Sequence, residues 1–227
     1  PGFQTAPATE DRYAVLWSGG KDSCLALWRA RKLGLRVTCL VNFFDEDSQR
    51  VRFHATRTDL IAKQAAAADL ELAQWSTRPE SYATVTADAL RTLKDKGYAG
   101  VIAGDIHLAD VRQSNEELAA GAGLVLVEPL WHDDGIELLE DFVGSAFRAV
   151  LTCCDDRWPD ILWPGREIDR EFIADVSHAA AIDANGEQGE YHSFAFDGPL
   201  FAHPVRWSAG IIRRSNGFSQ LDLLPAG

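Results

Sequence analysis

Five short apolar runs punctuate the first part of the chain: YAVLW (13–17), LRVTCLVNFF (35–44), ELAQWS (71–76), YAGVIAGDI (98–106) and LVLVEPLW (124–131). The segments between them carry helical spacing or helix-forming composition. Residues 21–33 put Leu25, Leu27, Trp28 and Leu33 on one face and stop at Gly34. Residues 56–70 are alanine-rich with Thr56 or Thr58 as cap, 79–97 have Pro near the start and Gly at the end, and 108–123 close the series. A run as continuously hydrophobic as 35–44 suits a strand covered on both faces. Strands alternating with helices require right-handed βαβ crossovers. The expected fold is therefore α/β, with a doubly wound, parallel five-stranded, Rossmann-like sheet.

The rhythm changes after HDDG (132–135). A helix is expected over 137–150, a strand in LTCCDDRW (151–158) and a helix over 167–181. A Gly-rich stretch follows over 183–205, and then two antiparallel segments, RWSAGIIRR (206–214) and FSQLDLL (218–224). This divides the chain into a polar, flexible tail (1–12), a first domain (13–133) and a smaller α+β region (134–227).

The net charge of −12, from 22 basic and 34 acidic residues, disfavours duplex nucleic acid, whose affinity is largely phosphate neutralisation. With no Lys/Arg cluster to override it, an anionic ligand must be captured by local geometry and not by the global field. No apolar run approaches the roughly 18 residues of a membrane span, so no membrane partner is expected. The cysteines at 24, 39, 153 and 154 form no C-x-x-C pair. They read as reduced, buried thiols of a cytoplasmic protein.

SGGKDS (18–23) stands where the first strand turns into the first helix. There, loop amides and the helix N-terminus hold anions. Gly19 and Gly20 let the backbone approach a ligand closely, Lys21 adds a positive charge, and Ser18 and Ser23 add hydroxyls. Asp22 would repel a bare phosphate, and reads as a helix-start residue or a contact to Mg²⁺. The spacing excludes both G-x-x-x-x-G-K-[ST] and G-x-G-x-x-G. The loop resembles the PP-loop of the N-type ATP pyrophosphatases, which have an adenine nucleotide alpha hydrolase-like fold. That resemblance implies ATP as the ligand, cut between the α- and β-phosphates.

Three further motifs narrow the resemblance. GDI (104–106) and EPLW (128–131) end strands on the edge of the sheet where open α/β sheets bind ligands. GEQGEYHSFAFDGP (186–199) lies in the second region. Together with His54 after the second strand, these resemble the diphthine–ammonia ligase family. The resemblance implies an ATP-dependent amidoligase that adenylates a carboxylate, releases pyrophosphate and transfers ammonia to the acyl group. It implies ATP contacts at Ser18, Gly19, Gly20, Lys21, Asp22, Ser23 and Gly104, with Mg²⁺ held by Asp22 and Asp105. Lys21, Asp105, Glu190 and His192 are the expected catalytic groups. His54, Glu128, Glu187, Glu190, Tyr191 and His192 are the expected acceptor contacts.

In the family the acceptor is diphthine, a modified histidine of elongation factor 2; in a bacterium it would be a small carboxylate such as a corrinoid side chain. A homodimer is compatible with this reading. One departure stands out: the family often has Asp-Pro-Cys where this chain has Asp183-Ala184-Asn185. Two rivals remain, a nucleotide-binding module without ligase chemistry and a tRNA sulfur-transfer enzyme. The net charge and the missing cysteine pair disfavour the second.

Overall fold

Strand β1 (Arg12–Leu16) is apolar on both faces, with Ala14 and Val15 fully buried, so it occupies the middle of a sheet. The computed structural model describes residues 10–52 and 54–226. Most of the tail expected over 1–12 lies outside the described residues, and Arg12 already belongs to β1. On one side β1 pairs with β2 (Arg36–Asp45), and β4 (Glu71–Thr77) pairs with the other edge of β2. On its opposite side β1 pairs with β5 (Tyr98–Ile102), which pairs with β6 (Val125–Val127). All five strands are parallel, as expected, in the order β4-β2-β1-β5-β6. The connections cross by α1 (Lys21–Lys32), α2 (Thr58–Ala67), α3 (Tyr82–Asp95) and α4 (Ala109–Gly121). They run outward in opposite directions from β1, so a crevice opens where β1 and β5 end.

Differences from the expected elements have local causes. A two-residue strand, β3 (Arg50–Val51), folds back antiparallel on Phe44 and Asp45 of β2; a two-residue ladder leaves no periodicity to read. Helix α2 starts at Thr58 with Arg57 at its N-cap, so neither threonine caps it. Pro79–Ser81 form a separate 3₁₀ turn ahead of α3. Strand β5 stops at Ile102 and β6 at Val127, because the segments beyond them are the loops GDI and EPL, the latter with a proline that cannot donate to a ladder.

The remaining residues build α5 (Gly135–Gly144), β7 (Arg148–Asp155), α6 (Arg170–His178), β8 (Tyr191–Asp197), β9 (Trp207–Ser215) and β10 (Phe218–Pro225). Helix α5 ends short of the expected residue 150. The chain reverses at Ala146, in the left-handed region at φ +63°, and Arg148–Val150 become sheet. Helix α6 is confined by the Asp169 cap, whose carboxylate accepts the Phe172 N–H at 2.9 Å. The four strands form an antiparallel sheet, β8-β7-β10-β9.

The two sheets do not have separate interiors. One continuous apolar cluster joins Val15, Leu25 and Leu27 of the first region to Phe142, Leu151 and Phe194 of the second. A second cluster, with Val41, Leu90 and Val101, lies under α3 and α4 on the other face of the parallel sheet. At the rim of the seam, buried Asp222 of β10 accepts from Arg50 Nη2 of β3 at 2.8 Å and from Arg57 Nε and Nη2 of the α2 cap, each at 2.8 Å.

The Arg57 and Arg50 hydrogen bonds, opposed by burial, hold the Asp222 carboxyl at about 2, below its unfolded value near 4. A depressed carboxyl stabilises the fold above the unfolded value, and this is lost as pH falls through the folded one. We expect Asp222→Asn to cost ~2 kcal/mol at pH 7 and to flatten the decline in thermal midpoint between about pH 4 and pH 2. Calorimetry of both proteins across that range checks this.

A candidate active site at the seam of the two sheets

The loop 18–20 is fixed by partners from far along the chain. Gly19 adopts φ +82°, and its carbonyl accepts the Ala195 N–H of β8 at 2.9 Å and the Gln64 Nε2–H of α2 at 2.9 Å. Fully buried Gln64 also donates to Ala195 O at 2.6 Å and accepts from Trp17 Nε1 at 2.8 Å. The Lys21 N–H donates to Ser193 Oγ at 3.1 Å. Helix α1 begins after Gly20 with no side-chain cap, so its first-turn amides have no side-chain acceptor at the N-cap. Ser18 Oγ accepts the Gly20 N–H at 3.2 Å and lies 3.3 Å from Ser23 Oγ, which donates to Gly20 O.

Lys21 is almost completely buried. Its ammonium donates to both Asp22 carboxylate oxygens, at 2.9 and 2.8 Å, and to Asn185 O at 2.6 Å, and sits 5.0 Å from the centre of the Tyr191 ring. Three donors are thereby used, so a phosphate oxygen would have to take the place of one of these acceptors. The Asn185 contact is made by the backbone carbonyl. Asparagine in place of the family's cysteine therefore leaves it intact.

Strand β5 delivers Gly104 and Asp105 against the start of α1. A Cβ on Gly104 would lie 2.9 Å from the Asp22 carbonyl carbon and 3.1 Å from Ser23 N, so glycine is what lets the helix sit on the strand end. Asp105 accepts from Asn115 Nδ2 at 2.6 Å and lies beside the Glu128 carboxyl. Glu128 is raised to about 7 by burial, against the lowering effect of Arg112 at 3.1 Å. It stands behind Asp105, away from the cleft lining. Arg112 stacks 4.5 Å over the centre of the Trp131 ring.

The loop 183–190 forms the opposite wall. Asp183 accepts from the Asn185 and Glu187 amides and pairs with His107 Nε2 at 3.1 Å, tying this loop to GDIH. Glu187 accepts from the Ile106 amide and is raised to about 7, first by burial and then by Asp22. Glu190, expected to meet substrate, turns into its own loop: its two oxygens accept from Asp183 N at 3.0 Å and Gln188 N at 3.1 Å. Tyr191 is buried and donates its hydroxyl to Ala184 O at 2.6 Å. The rings of His192 and His54 lie 4.5 Å apart.

These groups surround a cleft of about 550 Å³. Ser18, Lys21, Asp22, Ser23, Gly104, Asp105, His54, Glu187, Tyr191 and His192 of the expected site all line it. Its far end is apolar, with Leu16, Phe43, Tyr82, Val111 and Leu118. Sequence reasoning passed over Gln64, Asn115 and Ser193, and singled out Asn185 only as a departure from the family pattern. Only Ser193 carried a usable signal, as part of the quoted HSF motif. A glutamine in an alanine-rich helix carries none. Among the described residues no group of three or more His, Cys, Asp or Glu is arranged to hold a metal ion. Asp22 nevertheless raises the proton affinity of both Asp105 and Glu187 across the cleft, and Asp105 adds to that of Glu187. This mutual repulsion suits a divalent ion that takes one or two carboxylates and completes its shell with phosphate oxygens.

Fold and site together define a Rossmann-like α/β protein with a glycine-rich loop at its topological switch point. The chain belongs to the diphthamide synthase family: the model of the diphthamide synthase N-terminal domain matches residues 11–126 and that of the C-terminal domain residues 134–216. It is similar to the diphthine–ammonia ligase of Rattus norvegicus, 25% identical over 94% of this chain and 90% of that protein. The enzyme of the same name from Danio rerio is 25% identical over 94% and 93%. That from Schizosaccharomyces pombe is 26% identical over 82% of this chain and 34% of that protein. A solved formyltetrahydrofolate deformylase from Burkholderia mallei aligns at TM-score 0.28 and 16% identity over 41% of this chain and 30% of that one, too slight a likeness to bear on the fold.

Gly104→Ala should push the start of α1 off β5, at a cost of roughly 1–3 kcal/mol. Urea denaturation checks the stability, and nucleotide titration should find weakened binding even where the variant stays folded.

Proposed function

We propose that this chain is an ATP-dependent, AMP-forming carboxylate–ammonia ligase acting on diphthine. The observation that carries the reading is the bond from the Lys21 amide to Ser193 Oγ, which seats the YHSF motif directly on the phosphate loop. A site for cleaving ATP thus faces a second, chemically different wall, as a two-substrate ligase needs. In this reading residues 13–133 bind ATP and residues 134–227 present the acceptor.

The triphosphate would lie over Ser18, Gly19, Gly20 and the first turn of α1, with the base toward the apolar end near Phe43 and Leu118. An acceptor carboxylate oxygen attacks the α-phosphorus, and the bond to the β-phosphate oxygen breaks. Pyrophosphate leaves toward the loop amides, Ser23 and Lys21. Ammonia then attacks the acyl carbon, the carbon–oxygen bond to AMP breaks, and the nitrogen sheds a proton. The chain contributes position and charge neutralisation and no covalent step. Asp22 and Asp105 would hold Mg²⁺, which when bound neutralises phosphate charge. Lys21 is poised for this role, because an arriving phosphate can replace Asp22 as its partner.

With [α-³²P]ATP, ammonium chloride and elongation factor 2 carrying diphthine, we expect labelled AMP in step with amide formation. Acceptor-dependent ADP, or no turnover, would sink the reading. Lys21→Ala should raise the KM for ATP roughly 10- to 100-fold, the range expected for one charged hydrogen bond.

A further inference from the structure

A second cavity, of about 330 Å³, lies where β3 faces the antiparallel sheet, and it shares no lining residue with the cleft. Arg50 and Arg52 line it from the β3 side, Arg213 and Gln220 from β9 and β10. The sequence has no Lys/Arg cluster, so this one is assembled by the fold. Strand register explains the meeting. Arg213 and Gln220 are cross-strand partners, and Asp222 lies two residues beyond Gln220, so the three stand on one face of the sheet. That face meets β3 through the Arg50–Asp222 ion pair at 2.8 Å.

The donors around this cavity exceed the acceptors. Arg50 spends two of its five N–H groups, on Ala55 O at 2.7 Å and on Asp222 at 2.8 Å. Arg213 is exposed and forms no ion pair among the described residues. The Gln220 side-chain amide donates to the Cys153 thiol at 3.7 Å. Of the two lining carboxylates, Asp222 is shared with Arg57 from outside the lining, and Asp45 accepts the Ser48 N–H at 2.8 Å. Arg50, Arg52, Arg213 and Arg57 thus face Asp45 and Asp222, four cations against two anions, in a chain whose net charge is −12. Such a local excess attracts an anion that the global field would repel. A carboxylate has two oxygens in one plane and is satisfied by a single guanidinium fork. Arginines reaching in from two walls suit an anion whose oxygens point in several directions, as those of a phosphate do.

We propose that this cavity binds a phosphate group, held between Arg50 beside the β2 edge and Arg213 on β9, with Arg52 adding charge. The site is separate from the glycine loop and does not rest on the ligase reading. Its ligand is either the free ion or a phosphate carried on a protein, since both present the same oxygens.

The test uses the full chain in phosphate-free buffer, with backbone amide shifts followed by NMR as sodium phosphate is added. We expect one saturating curve shared by residues 48–52 and 213–222. Arg213→Gln should weaken that binding about tenfold, the effect of losing one charged hydrogen bond, and Arg213→Lys should keep part of it. Arg213 is exposed, so neither replacement disturbs the core. Lys21→Ala should leave the curve within about twofold, which separates this cavity from the glycine loop. A short phosphoserine peptide and its unphosphorylated form make the second arm. Tighter binding of the phosphopeptide than of the free ion marks a phosphorylated protein as the source, and weaker binding marks the free ion. The site is overturned by any of three results: no saturating shift in the unmodified protein, an unchanged curve in Arg213→Gln, or equal binding of the unphosphorylated peptide.

Discussion

The Gly19 carbonyl organises this molecule. It is a backbone acceptor at the tip of a glycine turn, and it takes one hydrogen from β8 and another from a glutamine of α2. A buried carbonyl without donors costs as much as a lost hydrogen bond. The glycine loop therefore depends for one of its two donors on the antiparallel sheet beside it. The shared apolar cluster accompanies the same docking, with Phe194 of β8 and Leu25 and Leu27 of α1 among its members. Fold and site are thus one cooperative arrangement.

The parallel sheet was legible because its strands are covered on both faces and write long apolar runs into the chain. The antiparallel half was legible as a class but not in its boundaries. Residues 148–150 look helical in isolation, and only the reversal at Ala146 and pairing with β8 make them strand. The site shows the same division. SGGKDS and YHSF are legible because local backbone geometry restricts their residue types. Gln64 and Asn185 are not, because their importance comes from partners more than a hundred residues away. Glu190 shows the reverse error: a carboxylate in a glycine-flexed loop looks like a ligand for substrate, yet its two oxygens satisfy that loop's own amides.

Charge is distributed to a purpose in this strongly acidic chain. The buried Lys21 ammonium of the cleft is matched by Asp22 and a carbonyl, while among the described residues Asp105 and Glu187 form no ion pair. The acidic wall would oppose a triphosphate arriving alone and favour one carrying a divalent ion.

The tie between Lys21 and residue 185 runs through a main-chain oxygen, which every amino acid possesses. Substitution at 185 can therefore change the chemistry of the wall while the lysine stays anchored. The side chain at 185 is itself almost fully buried and lies against Gly135, so a replacement leaves the lysine's tie intact only if it fits that space.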